Sequence, residues 1–430
     1  MTTATEDTVI QSACSFSVVN KPFQETLKPA VEVATKGTTK GAETEYLFTL
    51  RAESSEFSVH AFGGKLAVVI EASSLSNSEI DYKCSEDGNF TINAVDVIMA
   101  LDSFLPEERL NLKVEGNSLL IIPESDPDEM QSIPLNSEQV TVPDFSTKVV
   151  EEMSIDRSTL LRGIDKVKWA VGVEEHREQY FYWQLKAQKG EVRFVAGTGG
   201  RFSILDIKGS SIVDVSKKSS FLFHKDQTDP IFSILKQINE PSVDQDDMVL
   251  IQYSERDGNA PEQISITVDG LRLVLMAIDT TVKYPDMGKF LDASKDYKIK
   301  TKLSDWEYPV KGIMATWTNE IKKKFDSHDA YFEPMLDKDY ILLTTQTKHK
   351  AKRKIPIEDK VVAPDKEVNL KFCCLAPYIR EVYTKMGPEG SVEIEYFDDT
   401  HKPLVISSQE KDNGNGVTDQ HYMLIAPLKK

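Results

Sequence analysis

One unit of sequence occurs three times along the 430-residue chain, and this repetition constrains the fold more than any other feature. Each copy contains apolar residues at helical spacing, then a proline, then two alternating apolar runs separated by a turn. The helical parts read "AVDVIMALDSFLPEE", "DPIFSILKQINEP" and "APYIREVYTKMGPEG". The prolines that stop these helices, Pro106, Pro241 and Pro388, lie about 135 and about 147 residues apart, which is domain spacing and not solenoid spacing.

A further amphipathic helix precedes each copy, in "PFQETLKPAVEVATKG", "DRSTLLRGIDKVKWAVG" and "LSDWEYPVKGIMATWTN". The repetition predicts an α+β chain of three repeated domains, each with two helices packed on antiparallel sheets. Polar, proline-bearing stretches near residues 141–152 and 281–300 mark the boundaries. We therefore expect domains at residues 1–148, 149–285 and 286–430.

The glycine-rich stretch "FVAGTGGRFSILDI", residues 194–207, raises the possibility of a nucleotide-processing enzyme. A phosphate loop requires a helix after its glycines, because the helix N-terminus supplies amides to the phosphate. Here the segment after Gly200 is rich in β-branched and aromatic residues, which is typical of a strand. The spacing of the glycines also fits neither nucleotide motif. We predict a hairpin turn, and the enzyme is the least favoured alternative.

The charge balance limits the possible partners. The chain has 51 basic and 69 acidic residues, a net charge of -18, which argues against a simple nucleic-acid binder although a local basic surface remains possible. The four cysteines and seven histidines show no metal-ligand or catalytic spacing, so we expect no catalytic residue, no metal and no cofactor. With neither a signal peptide nor an apolar run of roughly 18 residues, we expect a cytoplasmic protein without a membrane partner.

Six segments in order resemble one known family, the bacterial-type DNA sliding clamp, which is the β subunit and processivity factor of the replicative DNA polymerase. They are "LKPAVEVATKG", "INAVDVIMALDSFLPE", "VTVPDF", "FVAGTGGRFSILDI", "KYPDMGKFL" and "HYMLIAPLKK", and the resemblance extends over nearly the whole chain. Two departures lie in the glycine turn, where Thr198 replaces the usual aspartate and Gly200 the usual histidine. The chain is also longer than most members near residues 205–220, 240–262 and 410–420.

The resemblance implies a non-enzymatic protein that forms a head-to-tail homodimeric ring, encircles duplex DNA independently of sequence and tethers a polymerase. A clamp homologue that acts mainly as a partner-binding or regulatory protein is the alternative. A ring that slides needs a positive lining that contacts phosphates and not base edges. The residues expected to face DNA are Lys21, Lys28, Lys36, Lys40, Arg157, Arg162, Lys166, Lys168, Arg177 and Lys311.

The family also binds short apolar peptides of the polymerase and the clamp loader, in a pocket between its second and third domains. Arg201 is expected to bond a peptide carbonyl or carboxylate there. The pocket residues implied by the resemblance are Tyr180, Gly199, Arg201, Phe202, Pro285, Lys289, Phe290, Leu424, Ala426, Pro427 and Leu428.

Ring closure implies that the first domain of one protomer meets the third domain of the other. The resemblance places Met130 and Ile133 near Thr316 and Trp317, with an ordinary core role as the alternative for Trp317.

Two further runs have competing interpretations. The tract "KHKAKRK", residues 348–354, is either a nucleic-acid patch or a solvated hairpin, and its flanking apolar runs favour the hairpin. The aromatic run from Tyr180 to Trp183 suggests base stacking, but as a strand it would point alternate side chains to opposite faces and fill the core on one of them.

Overall fold

The computed structural model describes residues 13–36, 46–63, 66–71, 80–137, 140, 144, 146–172, 177–237, 247–268, 271–276, 282–315, 329–345, 350–362, 371–387, 389–397, 402–414 and 416–427. The chain divides into two compact units. Unit 1 comprises Met1–Leu161 and Asp226–Asp279, and unit 2 comprises Arg162–Lys225 and Thr280–Lys430. The three domain ranges expected from the sequence stay a prediction.

The regular elements are mostly strands. The helices are α1 (Asn20–Lys36), α2 (Ala94–Leu101), α3 (Arg157–Val167), α4 (Lys225–Gln237), α5 (Gly288–Asp292), α6 (Glu307–Met314) and α7 (Ala376–Met386). The strands are β1 (Ser15–Val19), β2 (Leu47–Ala52), β3 (Phe57–Gly63), β4 (Leu66–Glu71), β5 (Lys83–Glu86), β6 (Gly88–Asn93), β7 (Arg109–Glu115), β8 (Ser118–Pro123), β9 (Gln131–Asn136), β10 (Val149–Asp156), β11 (Tyr182–Gln188), β12 (Glu191–Gly197), β13 (Arg201–Lys208), β14 (Val213–Asp214), β15 (Ser219–His224), β16 (Met248–Ser254), β17 (Gln263–Val268), β18 (Leu271–Met276), β19 (Tyr297–Lys302), β20 (Asp329–Met335), β21 (Tyr340–Thr345), β22 (Lys352–Pro356), β23 (Asp359–Val362), β24 (Phe372–Leu375), β25 (Ser391–Tyr396), β26 (Leu404–Ser408), β27 (Lys411–Asp412) and β28 (Thr418–Ile425).

Unit 1 is built on one antiparallel sheet with the strand order β10-β16-β17-β18-β4-β3-β2-β6-β9-β8-β7-β1-β5. Helix α1 packs on β3 and β4, and its residue Phe23 joins an aromatic cluster beneath the helix. In that cluster Phe23 lies 6.1 Å from Phe16 and 5.6 Å from Phe57, centroid to centroid, and Tyr82 lies 5.2 Å from Phe57. Edge-to-face and tilted pairs of this kind stabilise a core beyond the area they bury.

Helix α2 ends at Leu101, five residues before the proline that the sequence suggested as its stop. A long-range side-chain contact lies at this end of the helix. The buried Asn20 side chain donates hydrogen bonds from Nδ2 to the carbonyl oxygens of Leu101 at 3.0 Å, Phe104 at 3.2 Å and Leu105 at 3.0 Å. Because the last carbonyls of a helix lack intrahelical donors, this amide replaces the next turn.

Unit 2 contains a larger and a smaller antiparallel sheet. The larger has the order β15-β11-β12-β13-β28-β26-β25-β19-β23, with β27 paired to β28, and the smaller has the order β22-β21-β20-β24. Trp183 stacks on Phe223 at 4.3 Å in the core of the first sheet. Trp306, fully buried, packs 5.7 Å from Phe332 and donates its indole N–H to Thr301 Oγ1 at 2.8 Å. Trp183 and Trp306 therefore each have an aromatic packing partner, and the Trp306 indole N–H also has an acceptor.

The glycine stretch is the predicted hairpin turn. Strands β12 and β13 pair antiparallel up to Gly197 and Phe202, and the Thr198 amide donates to the Arg201 carbonyl at 2.7 Å. The segment after the glycines is a strand and not a helix, which removes the structural basis of a phosphate loop.

The aromatic run is only partly a strand, so that expectation is wrong for its first two residues. Tyr180 and Phe181 belong to a 3₁₀ turn, Glu178–Phe181, and β11 begins at Tyr182. Backbone hydrogen bonds close this turn, from Tyr180 N to Arg177 O at 3.1 Å and from Gly172 N to Tyr180 O at 2.8 Å. Tyr180, Tyr182 and Trp183 are all buried, which places most of the run in the core.

The described part of the basic tract forms the predicted hairpin. Strand β22 pairs with β21, and Lys352, Arg353 and Lys354 on it are exposed. Residues 348 and 349 lie outside the described residues. Among the helices that are described, none combines the length and apolar character needed to cross a membrane.

Candidate functional site

An apolar cluster in unit 2 lies beside the glycine turn. It is formed by side chains from the 3₁₀ turn, β12, β13, the segment before and within α5, and the C-terminal strands. The buried members of this apolar cluster are Tyr180, Val195, Phe202, Ile204, Phe397, Val405 and Leu424, and the half-buried members are Tyr284, Met287, Phe290, Leu291, Ala293 and Tyr422.

Backbone pairing brings these distant segments together. Strand β13 pairs with β28 over eight residues, so that Phe202 lies opposite Leu424. Beyond the strand end, the Ala426 amide donates to the Gly200 carbonyl at 2.9 Å, which joins the C-terminal segment to the turn. The Tyr284 hydroxyl donates to the Val195 carbonyl at 3.4 Å and so attaches the segment before α5.

Arg201 lies at the edge of the apolar cluster in an enclosed polar group, here called the arginine box: Arg201, Trp169, Tyr378 and Glu381. The guanidinium carbon lies 5.4 Å from the Trp169 ring centre and 5.2 Å from that of Tyr378, so both rings offer it cation–π contact. Its Nη1 donates to Glu381 Oε1 at 2.7 Å, and the two side chains are only 18% and 22% exposed.

Two opposing effects set the pKa of Glu381 in the arginine box. Burial raises the pKa of Glu381 to about 7, and the Arg201 guanidinium counteracts only part of this shift. Among the described residues, Arg201 Nε and Glu381 Oε2 are buried without a hydrogen-bond partner. Arg201, which the resemblance suggests as a partner for a peptide carbonyl or carboxylate, is ion-paired within its own unit.

Tyr378 explains why residue 200 is glycine. A Cβ on Gly200 would lie 2.5 Å from the Tyr378 hydroxyl and 3.0 Å from its ring, so a side chain here would require Tyr378 to shift. A Cβ on Gly199 would meet only Tyr180, at an ordinary 3.8 Å. The neighbouring Thr198 is buried, and its Oγ1 accepts a hydrogen bond from the Gly200 amide at 3.3 Å.

Most of the pocket residues expected from the sequence lie around these two groups. Tyr180, Phe202, Phe290 and Leu424 are members of the apolar cluster. Gly199 is at the turn, Ala426 is joined to the turn by its amide, and Arg201 is in the box. Pro285 and Pro427 are half-buried, the exposed Lys289 has its Nζ 5.0 Å from the Phe290 ring, and Leu428 lies outside the described residues.

Sequence reasoning missed four residues here: Trp169, Tyr284, Tyr378 and Glu381. The sequence does carry one signal, since Tyr378 and Glu381 are three residues apart and share a face of α7. Nothing local, however, links that face to Arg201, which is 180 residues earlier in the chain.

A buried serine and histidine lie next to the cluster but lack the parts of a catalytic site. Ser203 Oγ and His421 Nε2 are 2.8 Å apart, and Ser203 also donates to the Lys166 carbonyl at 2.9 Å. Burial and the nearby Lys166 charge lower the pKa of His421 to about 3, so its imidazole stays neutral. Among the described residues His421 Nδ1 has no partner, so no carboxylate orients the ring as in a triad. Among the described residues there is also no group of three side chains that could bind a metal ion.

The expected DNA-facing residues divide into exposed and engaged cations. Lys21 and Lys28 on α1 are exposed, each 3.7 Å from Glu25, and Lys311 on α6 is 67% exposed and 2.5 Å from Glu307. Arg177 is exposed and Lys168 half-buried, while Lys40 and the side chain of Lys36 lie outside the described residues.

Arg157 does not fit the DNA-facing set, and this expectation is wrong. Its side chain is 5% exposed, its Nε lies 2.7 and 2.9 Å from the two carboxylate oxygens of Asp247, and its Nη1 donates to the Leu235 carbonyl at 3.2 Å. A guanidinium satisfied in this way stabilises unit 1 and cannot reach a phosphate. Arg162 is also paired, 3.5 Å from Asp419, and Lys166 donates to the Lys385 carbonyl at 3.2 Å.

The two described residues expected at the dimer interface differ in exposure. Met130 is 59% exposed, as an interface residue should be before assembly, whereas Ile133 is only 4% exposed and already buried in its own unit. Ile133 is therefore not an interface anchor. Thr316 and Trp317 lie outside the described residues.

Comparison with known proteins rests on structure alone. No family model matches the sequence, and no curated protein is similar to it in sequence. The DNA polymerase sliding clamp of Pseudomonas aeruginosa superposes with a TM-score of 0.75 at 14% identity, over 97% of this chain and 100% of that one. The DNA polymerase β subunit of Streptococcus pyogenes and the sliding clamp of Bacillus subtilis each give 0.74 at 12% identity, with the same coverage.

The chain has the sliding-clamp fold. The match extends over the full length of the three bacterial proteins, so the α+β architecture expected from the repeats is confirmed. The glycine turn, the segment before α5 and the C-terminal strand, which carried the resemblance in sequence, are the parts of unit 2 that the structure brings together.

The turn yields a matched pair of substitutions. We expect Gly200→Ala to destabilise unit 2 by about 1–3 kcal/mol, because the new methyl overlaps Tyr378. Gly199→Ala, which meets no close atom, should change stability by less than about 0.5 kcal/mol. Urea unfolding followed by tryptophan fluorescence measures this, since all four tryptophans belong to the sequence ranges of unit 2.

A second background confirms the cause. In a Tyr378→Ala protein the added methyl has space, so the Gly200→Ala penalty should shrink to that of Gly199→Ala. Equal penalties in both backgrounds would show that Tyr378 is not what excludes a side chain at residue 200.

Proposed function

We propose that this chain is a sliding clamp, of which two copies close a ring around duplex DNA and tether a DNA polymerase. The observation that carries the proposal is the superposition over 97% of this chain and 100% of proteins described as DNA polymerase sliding clamps. A ring needs no chemistry of its own, and the neutral Ser203–His421 pair is consistent with a non-enzymatic role.

The exposed cations on α1 and α6 support the DNA-binding part of the proposal. Lys21, Lys28 and Lys311 are surface ammonium groups whose acidic neighbours, Glu25 and Glu307, are half-buried with side chains 40% and 39% exposed, so each pair remains accessible to solvent. A negatively charged backbone recruits such groups without regard to sequence.

Two observations favour a second candidate, a clamp homologue that binds partners without encircling DNA. The Arg157 side chain is buried in unit 1. Helix α2 has Asp96 in its first turn and no basic residue in its last turn, and its residue Met99 is 60% exposed. The net charge of -18 also favours this candidate, because it opposes binding to DNA.

A salt titration separates the two candidates. Anisotropy of a labelled 40-base-pair duplex should show binding whose logarithm falls linearly with the logarithm of salt concentration. Lys21→Glu with Lys28→Glu should weaken binding and reduce that slope by up to about 4, because the two copies in a ring would lose four phosphate contacts. The exposed pair Lys83→Glu and Lys113→Glu is the matched control and should leave the slope unchanged. Absence of binding by the unaltered protein would support the partner-binding homologue.

For the polymerase contact we propose that the apolar cluster and the arginine box receive a short apolar peptide. The cluster offers half-buried aromatic groups, Tyr284 and Phe290, next to a turn whose glycines allow close backbone approach. The arginine box fixes one wall through its ion pair and its two ring contacts.

Removing the centre of the box tests this assignment. A labelled peptide with a glutamine and two spaced leucines should bind Arg201→Ala at least tenfold more weakly, because the wall formed by Trp169 and Tyr378 loses its central contact. Arg380→Ala changes an exposed arginine on the same helix as Glu381 and should bind within twofold of the unaltered protein. Equal affinity of all three proteins would mean that the glycine turn is only a turn.

For ring closure we propose that two open strand edges of opposite charge meet between copies. Among the described residues, β22 pairs only with β21, and the first four residues of β9 pair only with β8. The β22 edge is basic, with Lys350 and Lys352 exposed nearby, while the segment leading to β9 is acidic and fully exposed. The exposed acids are Glu124, Asp126, Asp128 and Glu129.

Open edges recruit other strands, and opposite charges select the correct one. An edge pairing of β9 with β22 in a second copy would place the exposed Met130 at the junction. It would also give the basic tract a role that a solvated hairpin alone does not explain.

Charge reversal tests the edge pairing. Lys350→Glu with Lys352→Glu should weaken dimerisation at least tenfold in sedimentation velocity, because four exposed acids would then face added acids. Adding Asp128→Lys and Glu129→Lys to the same chain should restore the dimer. Lys402→Glu with Lys411→Glu, which alters exposed lysines elsewhere in unit 2, is the control. A dimer that tolerates the first reversal would refute the edge pairing.

A further inference from the structure

The outer face of the β11–β12–β13 sheet carries a compact set of charged side chains. In the register of these strands Lys186 lies opposite Arg193, which lies opposite Asp206, and Gln188 lies opposite Glu191, which lies opposite Lys208. Because alternate residues of a strand share a face, these six side chains project together. The residues between them, Ala187, Val192 and Ile207, are buried on the other face.

Both carboxylates on this face are already engaged. Arg193 holds Asp206 through two parallel hydrogen bonds, Nε to Oδ1 and Nη2 to Oδ2, each 2.6 Å. Glu191 accepts a hydrogen bond from the Gln188 amide. Bidentate pairing of this kind fixes the guanidinium in place as well as neutralising the acid.

The positive charges of the lysines, in contrast, are only weakly offset by carboxylates. Among the described residues neither Lys208 nor Lys218, which directly precedes β15, has an ion-pair partner. Lys186 lies 3.9 Å from Asp286, but that carboxylate is 74% exposed and contributes little. Three lysines therefore line a floor on which the Arg193–Asp206 pair is neutral, while Glu191, hydrogen-bonded to a neutral amide, keeps its negative charge.

A cavity of about 220 Å³ lies over this floor and is lined by Lys186, Arg193, Asp206, Lys208 and Lys218 among others. Its lining carries four cations and two anions, in a chain whose overall net charge is -18. Pockets for drug-sized ligands are usually about 300–1,000 Å³, so this one suits a smaller group. Its size and charge together favour a compact anion with more than one negative charge.

We propose that this cavity is a binding site for a small phosphate-bearing anion of the diphosphate class. The three lysines act as point charges that converge on the phosphate oxygens, and the Arg193–Asp206 pair forms a rigid floor. The site is separate from the apolar cluster and the arginine box, and it goes beyond the clamp function proposed above.

Calorimetric titration of the full chain with sodium diphosphate in low salt tests the site. We expect Lys208→Gln with Lys218→Gln to weaken binding at least tenfold, since two of the three lysine charges that line the cavity are removed. Lys83→Gln with Lys148→Gln, which neutralises lysines 68% and 59% exposed in unit 1, should leave the affinity within twofold. Glu191→Gln keeps the side-chain shape, raises the local charge by one and should tighten binding several-fold.

A parallel titration with a nucleoside diphosphate identifies the source of the phosphate. If ADP binds as tightly as diphosphate and loses affinity in the same double variant, the site accepts nucleotide phosphates. If only diphosphate binds, the ligand is the free anion. The proposal is overturned if the unaltered protein binds neither, or if the Lys208 and Lys218 double variant binds as well as the unit 1 control.

Discussion

The pairing of β13 with β28 is the interaction on which the candidate site depends. It joins eight residues after the glycine turn to the last described strand of the chain, from Arg201 opposite Ile425 to Lys208 opposite Thr418. Without it, the Ala426 amide would not reach the turn, and Leu424 would not meet Phe202 in the apolar cluster. The buried Ser203–His421 contact adds a polar constraint on the same pairing. Because side chains alternate along strands, a slip of one residue would move all of these groups to the wrong face.

Local sequence patterns were enough to predict the elements on either side of that pairing. The glycine turn and its two flanking strands followed from β-branched and aromatic alternation around the glycines, and the described helices other than α5 followed from apolar spacing. The fold class followed from the threefold repetition, and the superposition on bacterial clamps confirms it at sequence identities of 12–14%. Such periodicities depend on neighbours a few residues away, which is why a single sequence contains them.

Contacts between residues far apart in sequence account for the errors. Arg157 has the sequence context of a surface cation on an amphipathic helix, but its partner Asp247 lies 90 residues away. The carbonyl of Leu101, at the end of α2, accepts a hydrogen bond from Asn20, 81 residues earlier in the chain, and the local pattern before Pro106 does not reveal this contact. The arginine box likewise depends on contacts between distant residues, because no local sequence pattern marks any of its members. Satisfying a buried polar group is a property of the folded chain, and sequence patterns carry almost no record of it.

Residue 200 shows how such a distant contact alters the site itself. At a turn in this position a side chain would project toward α7, but here the Tyr378 hydroxyl would lie 2.5 Å from its Cβ. Tyr378 also covers the Arg201 guanidinium, which in turn holds Glu381. A side chain at residue 200 and the present position of Tyr378 therefore exclude each other. In this chain the wall beside the turn is formed by α7 and not by a side chain of the turn. A ligand of the apolar cluster would therefore contact an aromatic ring and an ion pair at the place that a turn side chain would otherwise occupy.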